Sequence, residues 1–471
     1  MNDSRLSLWL RVREFAVPAA MIETCTVRRL AGDWAGACAA AGFDLDLDPR
    51  ALPPPIRTDL RHLAPDLLRW HLPRVAPDGL LRPGLTLTLA RYGPVHLVVR
   101  TAPAWADAGQ RVSIALWDGG AAGAHPHPRP DRRFRLDLHR HLWDARRAGE
   151  LRMRCGAGDY LDMHAAGVGT VGLRAAAVDA IALRAAGADT LGLSAAGSET
   201  ADPRASGARN GISWVSEGAG RAADSGEQPL PSGCATERWA DEARILLHAD
   251  ALPPGPVLVR VGARRRALVD PYPDAPRPRG ALPVLPDAAT WTLPDLQLLR
   301  AGAITPDRLH PLVANALAPG HTRTTKPDTA QQLLVDCRGE QHRLGMRDGT
   351  LTALDHTQAE LHREELLVAL TGTPLPCLRV IDRAHRNPDA LAGVGERLRH
   401  GDITGALAVV EGLLGPDTLL RDGPLRAELE AAAERKITHG LYRAGLTPVG
   451  PPPRRAQRRV SGAHPRHATH R

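Results

Sequence analysis

Lysine is almost missing from this 471-residue chain, which holds only Lys326 and Lys436 against 58 arginines. Neither lysine follows a glycine-rich loop, and that excludes a Walker-type phosphate cradle. The same skew, with 45 glycines, 41 prolines and abundant alanine, is what a very GC-rich genome writes into any protein. The formal charge of +8 is therefore read as codon bias rather than as a nucleic-acid footprint. The arginines are spread along the chain and interleaved with 52 acidic residues, so no basic stripe forms.

Aromatic residues are equally scarce at 3%, which predicts cores of Leu, Val, Ala and Ile. The six cysteines, Cys25, Cys38, Cys155, Cys234, Cys337 and Cys377, lie far apart with no Cys-x-x-Cys pair. On spacing alone, neither a structural zinc site nor a disulfide framework is expected. No apolar run approaches the length of a membrane span, and Leu8-Trp9-Leu10 is cut short by Arg11, Arg13 and Glu14. The expected compartment is the cytoplasm, with no membrane partner. The hydrolase motifs G-x-S-x-G, H-E-x-x-H and S-x-x-K are absent.

What is present divides the chain into regions. Residues 1–150 mix helices and strands: helices over Pro18–Leu30 and Trp34–Ala41, a leucine-spaced helix over Asp59–Val75, and a hairpin of Leu85–Arg91 with Val95–Arg100. Val112–Trp117 and Phe134–Leu142 read as further strands. Residues 201–240 are Ala-, Gly- and Ser-rich and read as a flexible linker. Residues 241–356 form a small hairpin and helix region, with strands at Val257–Val261, Arg266–Val269, Leu333–Asp336, His342–Met346 and Leu351–Leu354. Residues 357–450 read as helical, opened by the capping-box spacing of Thr357 and Glu360 and punctuated by Gly372. Residues 451–471 are a Pro-, Arg- and His-rich tail expected to be disordered.

Residues 151–200 repeat in tens: LRMRCGAGDY, LDMHAAGVGT, VGLRAAAVDA, IALRAAGADT, LGLSAAGSET. A ten-residue period smears its apolar positions around an α-helix, whereas an apolar-x-apolar pair puts both side chains on one face of a strand. The expectation is a short β-solenoid of paired units. Within it, Arg154, Arg174 and Arg184 at one position, and Asp179 and Asp189 at another, stack into surface columns, read as a solvated face of locally compensating charges over a ladder for a partner. Gly167-Val168-Gly169-Thr170-Val171-Gly172 spells a dinucleotide fingerprint. The repeat register absorbs those glycines as turns, and no helix follows them.

Three side-chain sets are candidates for chemistry. His125 and His127, and His139 and His141, are two His-x-His pairs able to face one metal ion on a strand, although Arg129, Arg132 and Arg133 repel a cation there. Asp44, Asp46 and Asp48 alternate along a strand, favouring a solvated edge over a cation site. Cys337 and His342 share a hairpin, where a nucleophile pair needs a contact and a buried thiol needs none. Two copies of G-D-x-x-G-A-x-A, at Gly32–Ala39 and Gly401–Ala408, carry the turn of a helical hairpin similar to that of tetratricopeptide repeats.

The stretches RRLAGDWAGACAAAGFDLDLD, DLRHLAPDLLRWHLPRV and REELLVALTGTPLPCLRVIDRAHR resemble an uncharacterised protein family of GC-rich actinobacteria, over about half of the chain. That resemblance implies a source and no reaction, ligand or catalytic residue. The repeat units partly resemble the strand half of a leucine-rich repeat, as in Val178-Asp179-Ala180-Ile181-Ala182-Leu183, without its asparagine. The fold expected is α+β: a mixed N-terminal domain, the solenoid, and a C-terminal α+β region ending in a helical bundle. The function expected is a non-enzymatic interaction or scaffold role with a protein partner and no cofactor. The alternatives are an enzyme or metal-binding protein using the His125–His141 region or Cys337 with His342, and an arginine-mediated nucleic-acid binder.

Overall fold

The computed structural model describes residues 2–120, 125–156, 212–215, 230–262, 265–275, 280–319, 321, 333–337, 340–347, 350–372, 375–386, 393–414, 420 and 422–446. Helices and small sheets alternate along these residues, an α+β arrangement organised around four hydrophobic clusters. No described helix is long and apolar enough to cross a membrane.

The N-terminal elements are α1 (Asn2–Arg11), α2 (Ala19–Leu30), α3 (Trp34–Ala40), β1 (Phe43–Asp46), α4 (Pro54–Arg61) and α5 (Pro65–His71). A short ladder of β2 (Arg74–Val75) and β3 (Leu80–Leu81) follows, then β4 (Thr86–Tyr92), β5 (Val95–Thr101) and β6 (Val112–Trp117). The main sheet runs β1-β6-β5-β4, antiparallel except for the parallel β1–β6 pair. The single leucine-spaced helix expected over Asp59–Val75 is split in two. Pro65 carries no N–H and disfavours the helical conformation in Ala64, which sits at φ −101°, ψ 90°. The freed Ala64 amide donates to Trp143 O instead, at 2.8 Å.

Phe134–Leu142 is likewise not a strand. Thr88, paired with Val98 of β5 just before a bulge in β4, also donates to Phe134 O at 3.2 Å and accepts from the Leu136 amide at 2.7 Å. The strap thus meets the sheet at one bridge and then coils into a short 3-10 turn, Arg140–Leu142. Its period-two pattern reflects Phe134 and Leu136 pointing into the core while Arg135 and Asp137 pair with each other at 2.7 Å.

The decapeptide units fall outside the described residues from residue 157 onward. The opening of the first unit lies inside them and is helical, α6 (Leu151–Arg154), where a strand was expected. Leu151 and Cys155 are buried in the N-terminal core, so this unit begins as part of the domain rather than as a cap on a roll. None of the four described sheets is a solenoid. Arg174, Arg184, Asp179 and Asp189 lie outside the described residues. Arg154 does not belong to a surface column: it is nearly buried and bidentate to Glu242, with bonds of 2.9 and 2.7 Å.

Within the segment read as a linker, β7 (Ile212–Val215) is paired, and α7 (Thr236–Ala249) starts before residue 240. With β8 (Val257–Arg260) and β9 (Arg266–Val269) it gives a three-stranded antiparallel sheet in the order β7-β9-β8. This sheet and α7 enclose the second core around Trp239. Beyond α8 (Asp287–Thr290), α9 (Pro294–Arg300) and α10 (Pro311–Leu317) return to the N-terminal core, where Leu296, Leu298, Val313 and Leu317 are buried. Proline opens many of these helices (Pro54, Pro65, Pro294 and Pro311), because the first helical N–H has no partner to lose.

The few aromatics are placed where they count most. Trp70, Trp143 and Trp239 are among the largest fully buried side chains. Each indole N–H is satisfied, by Asp295 Oδ2 at 2.7 Å, Leu136 O at 3.0 Å and Thr290 O at 3.0 Å respectively.

The C-terminal part comprises β10 (Leu333–Cys337), β11 (Glu340–Arg347), β12 (Thr350–Ala353), α11 (Gln358–Thr371), α12 (Pro376–Arg386), α13 (Val394–His400), α14 (Ile403–Leu414) and α15 (Pro424–Arg443). The two G-D-x-x-G turns fold as read. Asp33 and Asp402 accept the amides of Gly36 and Gly405 at 2.8 and 2.9 Å, capping α3 and α14. A Cβ on either glycine would strike that capping carboxylate, which is why glycine stands there. Gly401, at φ +86°, also packs directly on Gly109, so the C-terminal hairpin docks on the N-terminal domain backbone to backbone. Arg11 clamps Glu396 across the same junction, at 3.0 and 2.7 Å.

Two histidines near this junction are buried without charge. Burial, then His310 and nearby arginines, lowers His71 to about 3; burial, then Arg74 and Arg69, lowers His400 to about 3. Unfolded histidine takes up its proton near pH 6.5, so the stability each contributes is complete above that value and is lost as pH falls below it. At one pH unit below that value the two together are expected to cost roughly 3 kcal/mol. Urea unfolding compared at pH 7.5 and pH 5.5 checks this, and equal midpoints would contradict it. His141, held well below its ordinary value chiefly by burial, acts in the same direction.

Candidate metal centre

Strand register in the small sheet decides which side chains share a face. Val335 lies directly opposite His342, and Cys337 opposite Glu340. Opposed residues of antiparallel strands point to the same side, and so do residues two apart, so Cys337 and His342 are diagonal neighbours on one face. Leu344, two residues beyond His342, pairs with Leu333 and Ala353, which extends that face across the sheet. Leu344 and Ala353 are both buried beneath it.

The chain then turns. Leu354 donates to Arg343 O at 2.8 Å, and Asp355 accepts from the Arg343 amide and guanidinium at 2.6 Å each. This pins His356 at the sheet edge. The next residue starts α11: Thr357 N donates to Glu360 Oε2 at 2.8 Å, completing the expected capping box. After Gly372, in the left-handed conformation at φ 70°, Leu375 re-enters the core. Pro376 then begins α12, with Cys377 in its first turn. Burial of Leu375, and partial burial of Val380 and Ile381, seats that helix on the sheet.

These local rules bring four ligand-type side chains together. One donor atom from each of Cys337, His342, His356 and Cys377 lies within 4.8 Å of every other. Cys377 Sγ is 3.8 Å from His342 Nδ1, and the two imidazoles meet edge to face with centroids 4.3 Å apart. In a tetrahedral zinc site, bonds of about 2.3 Å to sulfur and 2.0 Å to nitrogen separate the ligand atoms by roughly 3.3–3.8 Å. The four atoms here lie within 4.8 Å of one another, somewhat wider than such a set.

The electrostatics agree. His356 Nε2 is buried with no hydrogen-bond partner among the described residues, an arrangement costly for an imidazole unless something completes it. Burial, and then the thiol of Cys337, pushes Cys377 up to about 12. That keeps the Cys377 thiol neutral on its own, and a dication beside it would favour the thiolate.

The other candidates are arranged differently. His125 Nε2 bonds to Thr101 O at 3.0 Å, and its Nδ1 accepts from the His127 amide at 3.2 Å, so its ring caps a turn. His139 lies 3.2 Å from Glu242 and 5.8 Å, ring to ring, from His141. No cluster joins the two His-x-His pairs among the described residues. Asp44 is held by Arg111, His439 and Arg443, and Asp46 by Arg443, so both are counter-ions to arginine. Cys337 and His342 were visible from the sequence as hairpin partners. His356 and Cys377 were not: Cys377 lies 35 residues beyond His342, on another element.

No family model matches the chain, and no curated protein or solved structure is similar to it.

Proposed function

We propose that this chain is a zinc-binding protein in which the metal organises a C-terminal β-hairpin and helix module, within a non-enzymatic interaction role. The convergence of Cys337, His342, His356 and Cys377 carries the reading. Two thiolates and two imidazoles in a tetrahedral set select zinc among the common divalent ions. Four protein ligands leave no open position for water or substrate, which favours a structural over a catalytic ion. Among the described residues, the buried apolar side chains around the two cysteines are Leu344, Ala353, Leu361 and Leu375, a small core to which a metal would add. The interaction role is supported by α11, which leaves Leu366 and Leu370 exposed, at 56% and 85%, next to this module.

Metal analysis of protein purified without chelator tests the proposal. One zinc per chain is expected, lost in Cys377→Ser and in His356→Ala and kept in His125→Ala and His139→Ala. Zinc-free protein, or zinc retained by both ligand variants, would overturn it.

A further inference from the structure

A separate cavity of about 180 Å³ lies between α1, the strap through Phe134 and the segment that joins α8 to α9. Its walls are aromatic (Trp9, Phe134 and Trp291) and cationic (Arg5, Arg74, Arg82, Arg133 and Arg135), with Asp287 as the one acidic residue among them. Arg133 is already committed to that acid, Nε to Oδ1 at 2.5 Å.

Arg5 and Arg74 have no such partner among the described residues. Arg74 donates to the carbonyls of Gly79 and Arg69 at 2.9 and 2.7 Å, and its Nε is buried without an acceptor. Arg5 donates to Ser232 O at 3.0 Å and lies 4.9 Å over the Trp291 ring. His71 also lines the cavity, its Nε2 buried without a hydrogen bond and 4.0 Å from Asp295 Oδ2. For Arg74, a guanidinium nitrogen shielded from water without a counter-charge is costly, and backbone carbonyls supply only part of what the group loses.

A larger neighbouring cleft, of about 480 Å³, shares Arg135 with it. Its Arg91 and Arg135 are both neutralised by Asp137 and Asp250.

We propose that the smaller cavity is a binding site for a small phosphate-bearing molecule. Two guanidiniums lacking acids call for a ligand with two negative charges, and arginine's planar fork matches phosphate oxygens bidentately. Low-dielectric aromatic walls strengthen that attraction. The volume exceeds that of a lone phosphate, at about 30 Å³ for each water displaced, leaving room for a compact organic group against Trp9.

Calorimetric titration of the full chain with inorganic phosphate, at ionic strength held constant with sodium chloride, tests this. The expected result is saturable binding of one phosphate per chain, weakened at least tenfold in Arg74→Met and in Arg5→Gln. Acetate is expected to bind at least tenfold more weakly than phosphate. Arg5 is partly exposed on the first helix, so Arg5→Gln should keep the wild-type urea midpoint and separates ligand loss from misfolding. Absence of saturable phosphate binding, equal binding of acetate, or full binding by folded Arg5→Gln would overturn the proposal.

Discussion

Replacing Glu242 with alanine is expected to destabilise the protein by about 3–5 kcal/mol, the cost of leaving a buried charge without its partner. Glu242 is 4% exposed on α7. It receives a bidentate pair from Arg154 at 2.9 and 2.7 Å, with His139 at 3.2 Å. Burial opposes its charge, yet Arg154 and His139 hold its carboxyl well below the ordinary range. With the acid removed, Arg154 would keep only its bond to Leu138 O, at 3.0 Å, inside a site 8% exposed. The pair joins two separate cores, because Arg154 follows Leu151 of the N-terminal core and Glu242 precedes Ala243 and Leu246 of the second. Urea unfolding measures the cost. Glu242→Ala combined with Arg154→Met should recover part of it, since neither charge is then stranded. A single-variant loss under about 1 kcal/mol would contradict this account.

Withdrawing zinc should have a still larger local effect. Structural zinc in small peptides contributes about 10–16 kcal/mol of apparent binding free energy, all of it folding free energy where no site preforms. Here the β10–β12 sheet and α12 provide some preformed structure, so the loss should fall below that range while still opening the module. Hydrogen exchange in the presence of a strong chelator is expected to release protection across residues 333–386 and to spare β4–β6 of the N-terminal sheet. Unchanged exchange in 333–386 would show that the module stands without metal.

Much of this architecture was legible because local rules act within a few residues. The Gly-Asp turns at Gly32 and Gly401, the capping box at Thr357 and the hairpin around Cys337 each follow from chemistry confined to a single turn. Misreadings arose where partners are distant. Phe134–Leu142 alternates like a strand, but among the described residues it meets β4 only at the isolated Thr88–Arg135 bridge. Leu151 and Met153 fit an apolar-x-apolar repeat position, yet burial of Leu151 in the N-terminal core and pairing of Arg154 with Glu242 make that segment helical. Residues 293–317 read as part of the C-terminal half, and their leucines complete the first core.

The metal set shows the same limit. Ligand spacing without a Cys-x-x-Cys pair argued against zinc, because that argument assumes two ligands per turn. This chain distributes four ligands over a strand end, a second strand, a strand-to-helix loop and a helix N-terminus. Strand register supplies the first two, Asp355 fixes the third, and the packing of α12 delivers the fourth.

X-ray absorption at the zinc edge of the purified protein tests the central claim most directly. Two sulfur neighbours at about 2.3 Å and two nitrogens at about 2.0 Å are predicted, with the zinc signal itself lost in Cys377→Ser. A first shell of oxygen and nitrogen alone, or one unchanged in that variant, would contradict it.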